Sequence, residues 1–290
     1  MPTMSLVFHI FNKEDTIHAV IASWLSRVKQ PDLLQVILII DDTHDESEDE
    51  AAMACMDFDI PFKITHTRAA FEIGADNIAT AMSDREIMIY AQDDNYMFTP
   101  GWDDLLRGIM QQTARVGAVG LLAGVVWQPD NTYRRVEMFT PNKGECFTMH
   151  NIHPDDYPLG VWQVDYVTRP LAMYRPVVMH LSGFDWRYYP MDWDESDLSW
   201  RAHLAGFQNV VAPFDVRNHA GKFDTLGKEK ATENFVRGRR LFFERHFNPW
   251  DASVKKPFKL FPLYNTVQDN QGVTEWALAL PGGLQEARDG

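Results

Sequence analysis

Two acidic clusters in this sequence stand at the end of an apolar run. Asp41-Asp42 closes the run at 35–41, and Asp93-Asp94-Asn95 follows the run at 86–91. If these runs are parallel strands, both clusters lie at the carboxyl edge of a sheet, where such sheets bind ligands. Two carboxylates at the first position could accept hydrogen bonds from a nucleotide base or a ribose. Taken alone, that pair is more typical of a polar turn, where Asp is favoured.

The second cluster favours metal chemistry. Adjacent carboxylates beside an amide are hard oxygen ligands that suit Mg²⁺ or Mn²⁺ with a bound diphosphate. A capped turn is the alternative, because Pro100-Gly101 follows shortly afterwards. His219 comes just after the last apolar run, and a neutral imidazole is a good ligand for Mn²⁺. That position is the only argument for His219, since a single histidine in a loop usually has no such role.

A third acidic cluster stands at the start of a predicted helix. Its members, within six residues, are Asp192, Asp194, Glu195 and Asp197. The helix dipole stabilises acids there, and Asp194 could simply be the N-cap. Four acids nevertheless exceed what capping needs, so we expect one of them to act as a general base on an acceptor hydroxyl.

The elements that position these clusters alternate between strand and helix patterns. Apolar runs predict strands, which we place at 5–11, 35–41, 62–67, 86–91, 117–125, 171–175 and 209–214. Helical periodicity and capping residues predict helices, which we place at 15–27, 74–83, 100–116, 176–182, 195–205 and 228–246. This alternation indicates an α/β protein with a mostly parallel central sheet and helices on both faces. The segment at 128–162 shows no clean periodicity.

Composition excludes several other classes of protein. The 290 residues include 27 basic and 41 acidic side chains, and a net charge of −14 argues against non-specific nucleic-acid binding. Signature motifs of phosphate-binding P-loops, Rossmann dehydrogenases, α/β-hydrolases and zinc ribbons are missing from the sequence. Two cysteines suit a reducing compartment. The longest apolar run, 116–127, is shorter than the roughly 20 residues of a membrane span, so we expect no transmembrane segment and a soluble, cytoplasmic protein.

Five segments, taken in order, resemble the motifs of family 2 glycosyltransferases with the GT-A fold. They read FNKED, IIDDT, AQDDNYMFTPGW, RPLAMYRPVVMHLSGFD and WDESDLSWRAHLAGF. The similarity extends over roughly residues 5–220. It implies a GT-A catalytic domain at 1–225, with a nucleotide-sugar half at about 1–127 and an acceptor half at about 128–225. The remaining 226–290 would form a C-terminal helix and an irregular tail packed on that domain.

The resemblance also implies roles for individual residues on the donor side. Asp42, or else Asp41, would contact the nucleotide base, with Asn12 and Arg68 nearby. Asp94 would bind Mn²⁺ or Mg²⁺ directly, and His219 would complete the metal site. Asp93 would hold the ribose or a metal-bound water.

On the acceptor side the sequence departs from the family pattern. Glu195 falls at the position of the catalytic base, which is more often Asp, and Asp194 is a rival base. The stretch 74–77 reads GADN where the family often has G-x-A-R-N, so the usual arginine is missing. Arg201, Lys222 or the basic helix at 228–246 would then neutralise the phosphates. Trp162 and Asp192 are further acceptor-side candidates, and 128–162 could form a lid and acceptor wall.

The activity implied is an inverting transfer of a hexosyl or pentosyl group from a nucleoside-diphosphate sugar. Among such donors, a UDP-sugar is favoured. The acceptor would be a glycan or another hydroxyl-bearing molecule. Two alternatives remain open. A nucleotidyltransferase also uses paired acids, but normally shows a Gly-rich basic loop where this chain has FNKED. The second alternative is a GT-A protein that binds nucleotide or glycan without catalysis. Glu195 at the position where the family more often has Asp is compatible with that alternative.

Overall fold

The computed structural model describes residues 1–127, 133–137, 151–152, 161–212, 214–218 and 228–246. In this part of the chain an eight-stranded, mostly parallel sheet carries helices on both faces, which confirms the predicted α/β class. None of the described helices is long and apolar enough to cross a membrane.

The bounds of the elements follow the predicted alternation closely. The described strands are β1 (Met4–Ile10), β2 (Leu34–Asp41), β3 (Phe62–Thr67), β4 (Ile87–Gln92), β5 (Asn95–Met97), β6 (Val116–Gly120), β7 (Ala123–Trp127), β8 (Tyr133–Glu137), β9 (Asn151–Ile152), β10 (Trp162–Val164), β11 (Tyr166–Val167), β12 (Leu171–Tyr174), β13 (Gln208–Val211) and β14 (Val216–Asn218). The described helices are α1 (Ile17–Leu25), α2 (Ser47–Asp57), α3 (Phe71–Met82), α4 (Trp102–Gln112), α5 (Arg175–His180), α6 (Asp194–Leu204) and α7 (Lys228–His246).

The main sheet has the strand order β10-β13-β6-β12-β4-β1-β2-β3. Strands β3, β2, β1 and β4 are parallel neighbours, so their carboxyl ends meet at one edge. Strand β12 runs antiparallel to β4, with Leu171 opposite Tyr90. The beginning of β12, not its end, therefore reaches this same edge, and Arg169 stands just before it.

Two apolar layers separate the sheet from its helices, because strand side chains alternate between faces. On one face Leu6 and Phe8 pack with Trp24 of α1 and Trp102 of α4, and α2 adds small side chains. On the other face Val7 packs in the layer that contains α3, α5, α6 and Phe242 of α7. Helix α7 is thus part of the same folded unit as the sheet.

Three predictions about the elements were wrong. Helix α2 was missed, because its strongly acidic first turn and its small buried residues give little apolar periodicity. The run at 117–125 is not one strand: it divides into β6 and β7, which belong to different sheets. Pro100 does not occupy the first turn of α4, which begins at Trp102 after Gly101 at a left-handed φ of 65°.

Candidate active site

The turn between β4 and β5 holds Asp93 and Asp94 at the carboxyl edge. Asn95 fixes this turn: it is buried, its Nδ2 donates to Asp94 Oδ1 at 3.0 Å, and its Oδ1 accepts from the Gln92 amide at 3.2 Å. The same Nδ2 donates to Asn218 Oδ1 at 2.7 Å, which ties the turn to β14. The amide beside the two acids therefore orients Asp94.

Asp93 and Asp94 are half-buried, and neither forms an ion pair with another described residue. Burial raises the pKa of both carboxyls, to about 7 for Asp94, where repulsion from Asp93 adds to the effect. The Lys13 charge opposes both shifts. Two carboxylates that repel each other and have no ion pair among the described residues fit a divalent cation, which would relieve the repulsion.

The rest of the predicted metal site cannot be placed in the same way. Within the described ranges, no group of three or more His, Cys, Asp or Glu side chains could hold a metal ion. His219 and Lys222 lie outside the described residues. Asn218, the residue before His219, is paired with Asn95 in the β14–β5 ladder.

Asp41 is already committed to internal hydrogen bonds. Its carboxylate accepts from the amides of Ala70 and Phe71 at 2.9 and 2.8 Å, and from Thr67 Oγ1 at 2.8 Å. His9 Nε2 lies 3.2 Å from its Oδ2. Burial raises the pKa of Asp41, but these hydrogen bonds outweigh it and hold the pKa below its usual range. Asp41 thus shapes the turn that leads into α3, and Asp42 is the more exposed of the two acids.

The other predicted nucleotide contacts lie around the ends of β1, β2 and β3. The side chain of Asp42 is 51% exposed, with His44 Nε2 at 3.8 Å from its Oδ1. Asn12 Oδ1 accepts from the His44 amide at 2.9 Å. Arg68 is exposed and has no ion pair with any other described residue. The structure therefore brings Asn12, Asp42 and Arg68 to one side of the edge.

The start of α6 holds the third acidic cluster, but Asp194 is not its cap. The helix begins at Asp194 after Trp193, whose φ is 69°, and no side chain caps the first amides. The Asp194 carboxylate is fully buried and accepts instead from Arg169 Nη2. Its Oδ1 has no hydrogen-bond partner in the described part of the chain. The N-cap prediction for Asp194 was wrong because a buried guanidinium is available to it.

Glu195 and Asp192 are the more accessible acids of this cluster. Glu195 is half-buried, and burial followed by repulsion from Asp194 raises its pKa well above the usual range. Burial and then repulsion from Glu72 raise the pKa of Asp192 to about 7. Asn234 of α7 donates to Asp192 at 3.3 Å.

Arg169 and Glu72 are site residues that the sequence analysis missed. Arg169 donates to Asp76 and Asp194, its Nε lies 3.8 Å from Glu72 Oε2, and its guanidinium lies 5.2 Å from the Phe184 ring centre. Glu72 also accepts from the Gln92 side chain at 3.0 Å. The one sequence signal for Arg169 was its position directly before a strand. That position indicates a site residue only when β12 is known to be antiparallel and to begin at the carboxyl edge.

The stretch 74–77 and the stretch at 182–185 pack together. Asn77 makes two hydrogen bonds with the backbone of Phe184, both of 2.9 Å. A Cβ on Gly183, whose φ is 70°, would lie 2.3 Å from Asn77 Oδ1, so the close approach requires glycine. At the position where the resembled family often has an arginine, this chain has Asp76, whose carboxylate accepts a hydrogen bond from Arg169.

Arg201 does not face the site as a phosphate-binding residue. Its Nε donates to Asp197 at 2.7 Å, its Nη2 to the Gly183 carbonyl at 2.8 Å, and its Nη1 to the Leu181 carbonyl. With all three nitrogens engaged internally, the guanidinium holds α6 against the end of α5. The expectation that Arg201 neutralises phosphate is therefore corrected.

Helix α7 uses Arg237, Arg245 and His246 for contacts with other elements of the fold. Arg237 donates to the carbonyls of Arg187 and Tyr188 at 3.2 Å, and Arg245 donates to Asp197 at 2.7 Å. His246 Nε2 lies 2.7 Å from the same Asp197. These residues fasten α7 to the segment that leads into α6. Trp162 begins β10 and pairs with Val211, but its side chain is outside the described set.

No family model matches this chain, and no curated protein matches it either. Solved structures do. The mannosyltransferase PcManGT from Pyrobaculum calidifontis, in complex with GDP-Man and Mn²⁺, superposes with a TM-score of 0.52 at 14% identity, covering 74% of this chain and 55% of that one. GalNAc-T7 with UDP, GalNAc and Mn²⁺ has a TM-score of 0.60 at 15% identity, covering 84% of this chain and 49% of that one.

TarS 1-349 from S. aureus also has a TM-score of 0.60, at 11% identity, covering 87% of this chain and 68% of that one. The chain spans about half the length of PcManGT and GalNAc-T7. At these identities the likeness concerns the fold, and this chain has the GT-A fold of the three glycosyltransferases.

Proposed function

We propose that this chain is a metal-dependent glycosyltransferase that moves a sugar from a nucleoside-diphosphate sugar to an acceptor hydroxyl with inversion. One observation carries the proposal. On a GT-A fold, the charge of Glu72 acts both on Asp93-Asp94 and on the acids at the start of α6, although about 100 residues separate these two groups in the sequence. The first pair fits a cation with a diphosphate, and the second cluster fits a base for the acceptor.

On the donor side, Asp94 would hold Mn²⁺ or Mg²⁺, with Asp93 beside it and His219 as the third ligand. The metal would stabilise the negative charge of the departing nucleoside diphosphate. Asp42, Asn12 and Arg68 would contact the nucleotide. We favour a UDP-sugar with a hexosyl group, because GalNAc-T7 is described with UDP and GalNAc.

The charge that phosphate binding needs must come from outside α6. Arg201 is engaged internally, but Lys13 follows β1 and acts on both Asp93 and Asp94. We therefore assign Lys13 to the diphosphate, together with Lys222. Ammonium groups there would stabilise the leaving group as its charge develops.

On the acceptor side, Glu195 is the proposed base. Asp194 is fully buried and bound to Arg169, whereas Glu195 is half-buried with a raised pKa. Burial and repulsion from Asp194 disfavour the charged form of Glu195, so this carboxyl holds a proton firmly once it has accepted one. Glu195 would take the proton of the acceptor hydroxyl as its oxygen attacks the anomeric carbon. A single displacement of this kind inverts the configuration.

A surface of three aromatic rings supports a glycan as the acceptor. Trp186 is 58% exposed, and its ring centre lies 6.0 Å from that of Tyr189. Tyr189 is in turn 5.4 Å from Phe71. Phe71 directly precedes Glu72, and Tyr189 stands three residues before Asp192, so the rings flank the acidic edge. Apolar ring faces beside polar groups are typical of sites for small organic ligands such as sugars.

The test is a panel of UDP- and GDP-sugars in which release of nucleoside diphosphate is measured with Mn²⁺, with Mg²⁺ and with EDTA. We expect release with one donor and a metal, and none with EDTA. Release of pyrophosphate from a nucleoside triphosphate would identify a nucleotidyltransferase instead. Binding of a donor without release of nucleoside diphosphate under any of these conditions would identify a non-catalytic binding protein.

A cytoplasmic location stays a prediction from cysteine usage. Cys55 is a buried free thiol, and burial raises its pKa to about 12, which makes it unreactive. The packing of 247–290 on the catalytic domain also stays a prediction, because that segment lies outside the described residues.

A further inference from the structure

Arg169 joins two helices through one buried guanidinium. Its Nη1 donates to Asp76 of α3 and its Nη2 to Asp194 of α6, and all three side chains are at least nine-tenths buried. Nε faces the Glu72 carboxylate at 3.8 Å. The planar fork of arginine suits such a two-partner arrangement, whereas an ammonium group is a single point charge.

The charges around Arg169 do not balance within the described residues. One guanidinium faces Asp76, Asp194 and Glu72, and Glu195 follows Asp194 directly. Buried carboxylates in excess of their cations resist ionisation, and the residue that is least well paired holds its proton most firmly. Among these acids, Asp194 forms an ion pair with Arg169, whereas Glu195 forms no ion pair with any described residue.

We infer that Arg169 is a positioning residue for the base. It holds Asp194 inside and fixes the start of α6 against α3, which leaves Glu195 as the carboxylate that exchanges a proton with the acceptor. Its charge also lowers the pH at which Glu195 ionises, against the opposing effects of burial and Asp194. This inference rests on the proposed glycosyl transfer and deepens it.

The groups that face Glu195 predict opposite effects for two variants that break the same ion pair. Asp194 of α6 and Glu72 of α3 disfavour its charged form, and Arg169 favours it. Asp192 and Asp76 add negative charge to the same cluster. Arg169→Met removes the cation, so ionisation of Glu195 moves to higher pH. Asp76→Asn removes a competing acid, so ionisation moves to lower pH.

The experiment measures the acidic limb of the kcat pH profile for Arg169→Met, Asp76→Asn and Arg169→Lys, with the metal and the active donor. We expect the limb to move upward by about one pH unit in Arg169→Met and downward in Asp76→Asn. Arg169→Lys should keep the limb near its wild-type position and lose rate, because the charge stays and the fork is lost. Donor KM should change little in all three.

A second measurement does not need turnover. The Glu195 carboxyl carbon is followed by ¹³C NMR across the pH range in the full chain, assigned by its disappearance in Glu195→Gln, and it should shift in the same opposite directions. A purely structural Arg169 would lower the melting temperature in both variants and leave both limbs and both titrations unmoved, which overturns the inference. Opposite titration shifts of Glu195 with no turnover of any donor would overturn the proposed function and leave standing only the effect of Arg169 on the ionisation of Glu195.

Discussion

The proposed donor and acceptor sides of the site both present adjacent acids, but they differ in what neutralises them. Asp93 and Asp94 are half-buried, and no arginine or lysine forms an ion pair with them among the described residues. Asp194 is fully buried and bonded to Arg169, with Glu195 beside it. The negative charge of Asp93 and Asp94 can be neutralised by an external cation, whereas the Arg169 guanidinium neutralises part of the charge of Asp194 and Glu195. In the proposed function, acidic side chains would therefore serve ligand binding on one side and proton transfer on the other.

The largest expected effect comes from the side that depends on an external cation. Asp94→Ala should abolish metal-dependent release of nucleoside diphosphate, because losing a direct ligand removes several kcal/mol of leaving-group stabilisation. Folding should survive, since the change also removes a repelling charge from Asp93. Steady-state kinetics over a Mn²⁺ titration, with a melting curve, checks both expectations.

Asp84→Ala is the matched control for Asp94, because Asp84 is an exposed acid at the opposite end of β4. It should leave metal-dependent release unchanged. Near-wild-type activity of Asp94→Ala in Mn²⁺ would show that the metal is held elsewhere.

The acceptor side gives the next largest effect. Glu195→Gln should keep donor and metal binding and lose about 10²–10⁴-fold in transfer, the usual contribution of a positioned base. Asp194→Asn should chiefly lower stability, because breaking a buried ion pair costs about 3–5 kcal/mol. Transfer rates and urea unfolding of both variants separate the two roles. An inactive Asp194→Asn beside a normally active Glu195→Gln would reverse them.

A third prediction tests whether the acidic edge strains the fold at neutral pH. The pKa of Asp192 is raised to about 7 from an ordinary value near 4, so the folded state binds the extra proton between these limits. Stability contributed through this group therefore falls as pH rises from about 4 to 7. Asp192→Asn should flatten that part of the stability curve, measured by urea unfolding at several pH values in EDTA.

Asp41 is a control, because its pKa shift has the opposite direction and so gives the opposite dependence of stability on pH. Its pKa is lowered by internal hydrogen bonds, so its contribution is present above an ordinary carboxyl pKa and is lost only as the solution becomes strongly acidic. Asp41→Asn should lower stability at pH 7 and leave the slope between pH 5 and 7 unchanged. Equal slopes for wild type and Asp192→Asn would contradict the strain at Asp192.

The sequence predicted the donor side better than the acceptor side, for a physical reason. Parallel strands expose their ends in chain order, so Asp41-Asp42 and Asp93-Asp94 could be assigned to one edge from apolar runs alone. Arg169 could not, because it reaches that edge only through the reversed direction of β12. The internal roles of Asp41 and Arg201 were equally hidden, since each has backbone partners about 20 to 30 residues away in the sequence. Helix α2 was missed because apolar periodicity is weak where Ala and Cys fill the interface.

The smallest expected effect concerns the aromatic surface beside the acceptor acids. Trp186 packs one edge against Gly74, where an added Cβ would lie 3.1 Å from its ring, and leaves the rest exposed. The Tyr189 hydroxyl donates to the Ala69 carbonyl at 2.6 Å, which fixes the neighbouring ring. A sugar that stacks on such a rigid surface loses little binding energy to ordering of the protein.

Trp186→Ala should therefore raise acceptor KM about tenfold, equivalent to the roughly 1–1.5 kcal/mol of one aromatic contact, and leave kcat and donor KM near wild type. Leu204→Ala is the matched control, because Leu204 is 63% exposed at the far end of α6. Initial rates over an acceptor titration separate the two variants, and hydrolysis of the donor by water supplies a readout that needs no acceptor. That hydrolysis should be equal in both, because among the described residues no recorded contact joins the Trp186 ring to Asp93, Asp94 or Glu195. If Trp186→Ala lowers donor hydrolysis as much as transfer, the ring stabilises the fold of this edge and does not bind the acceptor. The proposed distinction between a metal-binding donor side and an aromatic acceptor side then does not extend to this surface.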